Sequence, residues 1–220
     1  MKHKFVFIHI PKSAGTTFHR ILSPNYKMRV IKGSWEVYEN SRYFEKVTSE
    51  PGYDRDEMFK RYEVIRGSFP YQRFYYLKKK YKWKLITWVR DPVERLISNY
   101  NHLVHRPSPS LYKKGAKQKL VFEKARSMNI VEFSKYLSDF NTRHIGEDPS
   151  IFDFIGVVEK FPKSLDLFNK KFNSRLQNRK RSNVHRWKKR VEVSQEVKEE
   201  LKSHHPKDYK FYNNVIKRYE

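Results

Sequence analysis

Apolar and charged segments alternate along the 220-residue chain, and their spacing predicts strands that are followed by helices. Mainly apolar runs bounded by glycine, proline or charged residues are typical of buried strands. Four such runs are present, at residues 5–10, 62–69, 83–90 and 152–161. Because near-continuous apolar runs suit strands that are covered on both faces, we predict an α/β fold with a central parallel sheet flanked by helices. We expect residues 1–220 to form a single domain.

Amphipathic segments between and after these runs predict the helices. The first helix is expected to begin at Gly15 and to end before Pro24. A second begins after Asp91, which can act as its N-cap, and Glu94 three residues later completes a capping-box pattern. Further helical segments are predicted at these positions: two short helices within 34–61, then 116–127, 130–138, a helix after Pro162, and a helical C-terminal extension from Ser194 with a break at Pro206.

The chain is strongly basic, with a net charge of +24 from 48 Lys and Arg against 24 Asp and Glu. Basic residues cluster at 78–84, 113–119 and 170–190. Such clusters favour polyanionic partners such as nucleic acid, anionic glycan or anionic lipid, although a solvated surface is the simpler explanation of any one cluster.

The sequence contains no cysteine, which excludes disulfides, thiol catalysis and cysteine-ligated metals. Only four residues precede the first apolar run, fewer than a secretory signal needs. That run itself has six residues, whereas a membrane helix needs about 20. We therefore expect a cytoplasmic protein without a membrane span.

The segment FVFIHIPKSAGTTFHRIL, residues 5–22, has the order of parts of a phosphate-binding strand, loop and helix. The start of the helix at Gly15 offers unpaired backbone N–H groups, Lys12 adds a full positive charge, and Thr16 and Thr17 add hydroxyl donors. The loop departs from the Walker pattern, in which a lysine directly follows a glycine, because Lys12 precedes Gly15 by three residues. The sequence thus predicts an anion site but not a site for a metal-bound triphosphate. A strand, turn and helix with a surface lysine is the alternative.

A second motif, RDPVERLIS, begins at the end of the third predicted strand. Arg90 lies at the strand end and Ser98 lies eight residues later, two turns along the following helix. An arginine supplies paired donors and a serine a short hydroxyl, so the two can bind a second phosphate. Alone, the motif would indicate no more than a capped surface helix; beside the first loop it indicates a ligand with two anionic ends.

The two motifs, FIHIPKSAGTTF (7–18) and VRDPVERLISNY (89–100), resemble the nucleotide-binding motifs of the PAPS-dependent sulfotransferases. The resemblance is closest to the carbohydrate branch, which includes the heparan sulfate 2-O- and 6-O-sulfotransferases and many bacterial relatives. Softer matches continue in order through nearly the whole chain, at GSFPY (67–71), NTRHIG (141–146) and FDFIGVVEKFPKSLDLFN (152–169). The resemblance implies a P-loop-like fold and a soluble, bacterial-type O-sulfotransferase.

The resemblance also implies the donor, 3′-phosphoadenosine 5′-phosphosulfate (PAPS), with PAP as its product and no requirement for a metal. The residues that match the first motif would hold the phosphosulfate: Lys12, Ser13, Ala14, Gly15, Thr16 and Thr17. Arg90 and Ser98, in the second motif, would hold the 3′-phosphate. Ser182 and Arg186 fall where the family makes its late donor contacts. Lys12 would stabilise the negative charge that develops on the leaving phosphate oxygen, which makes it a predicted catalytic residue.

The family's usual general base is missing from this chain. Many members of the carbohydrate branch have Gly-His where this chain has Gly67-Ser68, and serine is a poor base. Two histidines are predicted as its replacement: His102, one turn past Ser98, and His144 in the NTRHIG stretch.

For other histidines and carboxylates the sequence predicts different environments or a lesser claim to the role of base. His9, at the end of the first apolar run, is expected to be a packed core residue, and His204 and His205 in the tail are expected to be solvated. Carboxylates at Glu36 and Glu63 are the alternative bases.

The predicted acceptor is a hydroxyl compound, with a carbohydrate favoured by the resemblance and an anionic polysaccharide by the basic run 170–190. Two other functions compete with sulfuryl transfer. One is a P-loop kinase of small molecules, against which the misplaced lysine argues. The other is a basic nucleic-acid-binding protein, which would leave both phosphate motifs unexplained and contains no recognised nucleic-acid module.

Overall fold

The structure, a computed structural model, describes residues 3–30, 60–105, 116–178 and 191–219. The strands are β1 Phe5–Ile8, β2 Met28–Val30, β3 Val64–Gly67, β4 Lys84–Val89 and β5 Phe154–Val157. The helices are α1 Gly15–Leu22, α2 Tyr75–Tyr81, α3 Pro92–His105, α4 Ala116–Ser127, α5 Ile130–Tyr136, α6 Phe140–Ile145, α7 Phe161–Phe172, α8 Gln195–Ser203 and α9 Pro206–Ile216. Short 3₁₀ turns occupy Tyr71–Phe74, Pro149–Ile151 and Lys217–Tyr219.

The strands form one parallel sheet in the order β2-β3-β1-β4-β5. Ile8 lies in register with Gly67 of β3 on one side and with Thr87 of β4 on the other. The direction of winding reverses between β1 and β4, and ligands of such sheets bind beyond the carboxyl ends of the strands at that point. The predicted α/β fold with a central parallel sheet, flanking helices and a helical C-terminal extension is confirmed.

Alternate side chains of β1 enter two separate apolar layers. Phe5 and Phe7 pack with α1 and α7 on one face of the sheet. On the other face, Val6 and Ile8 pack with helices α2 to α6, α8 and α9. Because both faces of β1 are covered, this strand is apolar along its whole length. The two layers fix β1 and β4 and thereby the loops that follow them.

Two parts of the fold differ from the sequence-based expectation. β2 was not predicted because its three side chains are exposed or half-exposed and form no apolar run. Neither α2 nor α6 was predicted, and each has seven residues or fewer, too short for a clear amphipathic period. The two short helices predicted within 34–61 fall almost wholly outside the described residues.

Candidate active site

The loop between β1 and α1 reverses direction through two residues in the left-handed backbone region. Lys12 has φ 69° and Ala14 has φ 52°, although neither is a glycine. Such a conformation costs about 1–2 kcal/mol for each non-glycine residue, and the packed strand and helix on either side impose it. Ala14 is the N-cap of α1 and makes no side-chain cap bond, so the first N–H groups of α1 receive no such cap.

Gly15 has a steric function at the start of α1. A Cβ atom at this position would lie 1.8 Å from Cδ2 and 2.1 Å from Nε2 of His9. The imidazole of His9 therefore packs directly beneath the loop and occupies the space that a side chain at position 15 would need. The absence of a side chain at position 15 is therefore what makes room for His9.

His9 and Ser68 lie next to each other because they directly follow the paired strands β1 and β3. The backbone N–H of His9 donates to Gly67 O at 2.8 Å, and Nδ1 of His9 lies 3.2 Å from Ser68 Oγ. Burial, together with the positive charges of Arg66, His19 and Lys12, lowers the pKa of His9 to about 3. His9 is consequently neutral in this state, and it is not the simple packed core residue that was expected.

The second motif caps α3 as predicted, but only by half of the capping box. Asp91 Oδ1 accepts a hydrogen bond from Glu94 N at 2.9 Å. The reciprocal bond expected from the Glu94 carboxylate is replaced, because Asp91 N donates to Glu159 Oε1 at 3.1 Å. The Glu94 carboxylate instead pairs with Lys198 Nζ at 2.9 Å, which ties α3 to α8.

Arg90 is held at the end of β4 between two carboxylates. Its guanidinium lies 3.6 Å from Glu94 and 3.9 Å from Glu159. The hydroxyl of Tyr212 donates to Glu159 Oε2 at 3.1 Å, and the hydroxyl of Tyr209 donates to the carboxylate of Asp91. Two tyrosines of α9 therefore fix the carboxylates around the second motif.

A cleft of about 690 Å³ joins both motifs at the carboxyl ends of β1 and β4. This is the size of a pocket that holds a nucleotide-like ligand. The predicted residues that line it are Lys12, Ala14, Gly15, Thr16, Thr17, Arg90, Ser98 and His102. Burial and the charge of Arg90 both lower the pKa of Lys12, so two cations stand close together where an anion would relieve their repulsion.

Ser13 differs from its neighbours in the loop. Its side chain is buried and is not part of the cleft lining. Ser13 Oγ has no hydrogen-bond partner within the described ranges, and such a buried orphan is uncommon. Its predicted part in donor binding stays a prediction.

The cleft also contains residues that the sequence reading missed. Val158 and Glu159 line it directly after β5, and Phe161, Pro162 and Asn178 follow. The signal for the first two was present in the sequence. Since β5 was predicted to be a strand of the same parallel sheet, the residues at its carboxyl end could have been placed beside Arg90.

Several predicted residues are located elsewhere. His144 lies in α6, is buried outside the cleft lining, and has Nδ1 3.0 Å from Phe140 O. Burial lowers the pKa of His144 to about 4. Glu63 precedes β3 at the end remote from the cleft, where its carboxylate accepts a hydrogen bond from Lys27 N. Ser182, Arg186 and Glu36 lie outside the described residues.

His205 is fully buried, so the expectation that it would be solvated is wrong. Nδ1 of His205 accepts a hydrogen bond from Asp139 N, and Nε2 therefore donates to Ser134 Oγ at 3.0 Å. Burial lowers the pKa of His205 to about 3, with the charge of Arg95 acting in the same direction. This histidine supports the packing of α5 against α8.

The model of one protein family, described as the sulfotransferase family, matches residues 1–150. No curated protein sequence matches the chain. Among solved structures, the chain is similar to mouse sulfotransferase SULT7A1 complexed with PAP, at 13% identity and a TM-score of 0.40, and to a sulfotransferase from Alicyclobacillus acidocaldarius, at 16% identity and a TM-score of 0.47. The first alignment covers 80% of this chain but only 61% of the mouse chain, and the second covers 98% and 96%. Because the family model spans more than half of the sequence, the chain belongs to the sulfotransferase family.

Proposed function

We propose that the protein transfers a sulfuryl group from PAPS to a hydroxyl of an acceptor. The observation that carries this proposal is the single cleft in which the loop of Lys12 and the Arg90–Ser98 motif meet. A donor with an anionic group at each end needs two separated anion sites in one cavity. Membership of the sulfotransferase family supports the same reaction.

The donor fits the residues of the cleft. The start of α1, with Lys12, Thr16 and Thr17, is proposed to hold the phosphosulfate, since the helix end offers N–H groups and partial positive charge. Arg90 and Ser98 are proposed to hold the 3′-phosphate. Ala14 and Gly15 contribute backbone rather than side chains.

PAPS would supply an activated sulfuryl group whose transfer leaves negative charge on a phosphate oxygen. Lys12 and the N–H groups at the start of α1 stabilise that charge, an electrostatic effect worth about 3–4 kcal/mol for each well-placed donor. Half-burial of Lys12 strengthens its interaction with an anion, because water screens it less. No metal is assigned a function in this scheme.

Of the two histidines predicted to act as the base, His102 lines the cleft and His144 does not. His102 lies on α3, on the same wall as Ser98, and hence at the end proposed for the 3′-phosphate. Alanine substitution of each histidine separately tests both: the base variant loses turnover but still binds PAP.

We propose a carbohydrate as the acceptor class, on the resemblance to the carbohydrate branch, and an anionic one on the net charge of +24. Salt tests this part, because exposed charges are screened at high ionic strength. The acceptor KM should rise with salt if basic residues attract the acceptor. The cytoplasmic location stays a prediction; within the described residues no helix is long and apolar enough to cross a membrane.

Thermal unfolding of the full chain with PAP, ATP–Mg²⁺ and an oligonucleotide tests the donor. A ligand at 100 times its Kd adds about 2.7 kcal/mol of stability. For a chain of this size that corresponds to a rise in Tm of roughly 5–10 °C. We expect the rise with PAP and its loss in an Arg90→Ala variant. A response to ATP–Mg²⁺ alone would refute the proposal in favour of a kinase, and a response to the oligonucleotide alone would favour nucleic-acid binding.

A further inference from the structure

The hydrogen bond between Ser68 and His9 lies at the Gly15 end of the cleft, where the resemblance places the missing base. We propose that Ser68 and His9 form a proton relay, in which Ser68 Oγ takes the proton of the acceptor hydroxyl and passes its own proton to His9 Nδ1. This inference rests on the proposed function and names the general base of that reaction. In this relay, Ser68 and the His9 behind it together take the place of the histidine that many members of the carbohydrate branch have at the position of Ser68.

The geometry fixes the orientation of the relay. Ser68 follows β3 and His9 follows β1, and the register of Ile8 with Gly67 sets the two side chains 3.2 Å apart. The Cδ2–Nε2 edge of the imidazole faces Gly15, as the close approach of a hypothetical Cβ there shows. Nδ1 is thus the ring nitrogen turned towards Ser68.

Ser68 and His9 are both half-buried, so neither side chain is closed to a ligand. An acceptor hydroxyl can therefore approach Ser68 Oγ. His9 contributes to the cleft lining but is packed beneath the loop, with Arg66, His19 and Lys12 as its charged neighbours. The Ser68→Ala variant tests whether the proton passes through the serine or reaches the imidazole directly.

The charges around His9 make the relay depend on the donor. Arg66 on β3, His19 on α1 and Lys12 in the loop all oppose a positive charge on the imidazole. An anionic ligand in the cleft offsets these charges, and His9 then holds a proton more readily. The imidazole is neutral before the donor binds, which is the state that accepts a proton.

As the acceptor oxygen bonds to sulfur, its O–H bond breaks and the proton moves to Ser68 Oγ. The Ser68 proton moves to His9 Nδ1, giving an imidazolium and restoring the serine hydroxyl. The bond between sulfur and the phosphate oxygen breaks, and its electron pair stays on the phosphate of PAP. His9 returns the proton to water after the products leave.

Four full-length variants and PAP test the relay. Asn at position 9 keeps a polar atom near the position of Nδ1 but cannot take a proton, so His9→Asn and Ser68→Ala should each lower kcat by about 10²-fold or more. Their Kd for PAP should stay within about threefold of the wild-type value. Ser68→His, added to His9→Asn, supplies a direct base and should recover kcat at least tenfold. His19→Asn, the same change at a neighbouring histidine outside the cleft lining, is the matched control and should retain kcat.

Turnover is measured with [³⁵S]PAPS and de-O-sulfated heparin, together with release of sulfate to water. A second measurement needs no acceptor: ¹⁵N NMR titration of His9 in the free protein and in the PAP complex. We expect PAP to raise the titration midpoint of His9 by at least one pH unit, and the acidic limb of the kcat profile to coincide with that midpoint and to vanish in His9→Asn.

The outcomes separate the relay from the proposed function. If the wild-type protein does not bind PAP, the proposed function is refuted and the relay with it. If it binds PAP and the His9 midpoint does not move, the relay is refuted alone. The same holds if either single variant keeps more than a third of kcat, or if Ser68→His gives no recovery, which would indicate that His9 only shapes the loop.

Discussion

Substitution of Gly15 by alanine tests the steric basis of the loop between β1 and α1, which we propose binds the donor. The added Cβ would lie 1.8 Å from His9 Cδ2, whereas ordinary van der Waals contact begins near 3.4 Å. The ring and the loop would therefore have to separate by roughly 1.6 Å. His9 cannot move away freely, because its backbone N–H is bonded to Gly67 and its Nδ1 to Ser68.

The expected cost follows from this overlap. Forcing an extra methyl into a packed site destabilises a protein by about 1–3 kcal/mol. For this chain length the loss corresponds to a fall in Tm of roughly 2–12 °C. Gly15→Ala should also displace the N–H groups of α1 from the proposed phosphosulfate site, and a displacement of about 1 Å can lower turnover by about 10²-fold.

A double-mutant cycle with His9→Ala isolates the contact. Once the ring is removed, alanine at position 15 meets no obstacle from it, and its lower unfolded-state entropy should make Gly15→Ala neutral or stabilising by about 0.4–1 kcal/mol. Urea unfolding of the four proteins measures the cycle, and calorimetry measures the PAP affinity of each. A Gly15→Ala protein that is as stable as the wild type, or equally destabilised with and without His9, would contradict the steric argument.

Four further substitutions test separate parts of the site and fold. Lys12→Met should lower the rate constant measured under single-turnover conditions by about 10²–10³-fold. A change in KM alone would show that Lys12 serves only binding. Ser98→Ala should weaken PAP binding by roughly 10-fold or more while leaving the affinity for adenosine 5′-phosphosulfate, which lacks the 3′-phosphate, unchanged. Tyr209→Phe removes the donor to Asp91 and should lower the free energy of unfolding by about 1–2 kcal/mol; an unchanged urea midpoint would show that this bond adds nothing. The folded-state pKa of His205, about 3, lies below its unfolded value of 6.5, so unfolding takes up a proton at acidic pH. The free energy of unfolding should therefore fall as pH falls from 6.5, by about 2 kcal/mol at pH 5. In His205→Asn this pH dependence should be smaller by the uptake of one proton.

The sequence predicted the part of the site that depends on chain order alone. Parallel strands end at one edge of a sheet, so residues directly after two neighbouring strands must come together. Lys12 follows β1 and Arg90 follows β4, and the structure indeed brings both into one cleft. The same rule would have placed Glu159, which follows β5 and shares the cleft.

The sequence could not predict contacts that depend on register. Whether Ser68 meets His9 is decided by the pairing of Ile8 with Gly67, and a shift of one residue would turn these side chains to opposite faces of the sheet. Apolar patterns locate a strand to within a few residues only, which is insufficient for this purpose. The predicted first strand, for example, extended to residue 10 and the observed strand ends at Ile8.

Arg95 shows a second limit of the sequence reading. An arginine between apolar residues of a helix is normally expected to face water. In the structure Arg95 is fully buried, its guanidinium lies 4.5 Å from the ring centre of Phe140, and burial lowers its pKa to about 10. Its guanidinium nitrogens have no hydrogen-bond partner among the described residues. Only the packing of α3 against α6 reveals this environment.

The family model ends at residue 150, yet the geometry of the second motif depends on the residues that follow. Glu159 reaches Arg90 and Asp91, Lys198 pairs with Glu94, and Tyr212 holds Glu159. Without α8 and α9, Glu94 would lose Lys198 and Glu159 would lose Tyr212, so the carboxylates around Arg90 would be held less firmly. The helical extension therefore supports the residues of the proposed donor site, in agreement with our prediction that residues 1–220 form a single domain.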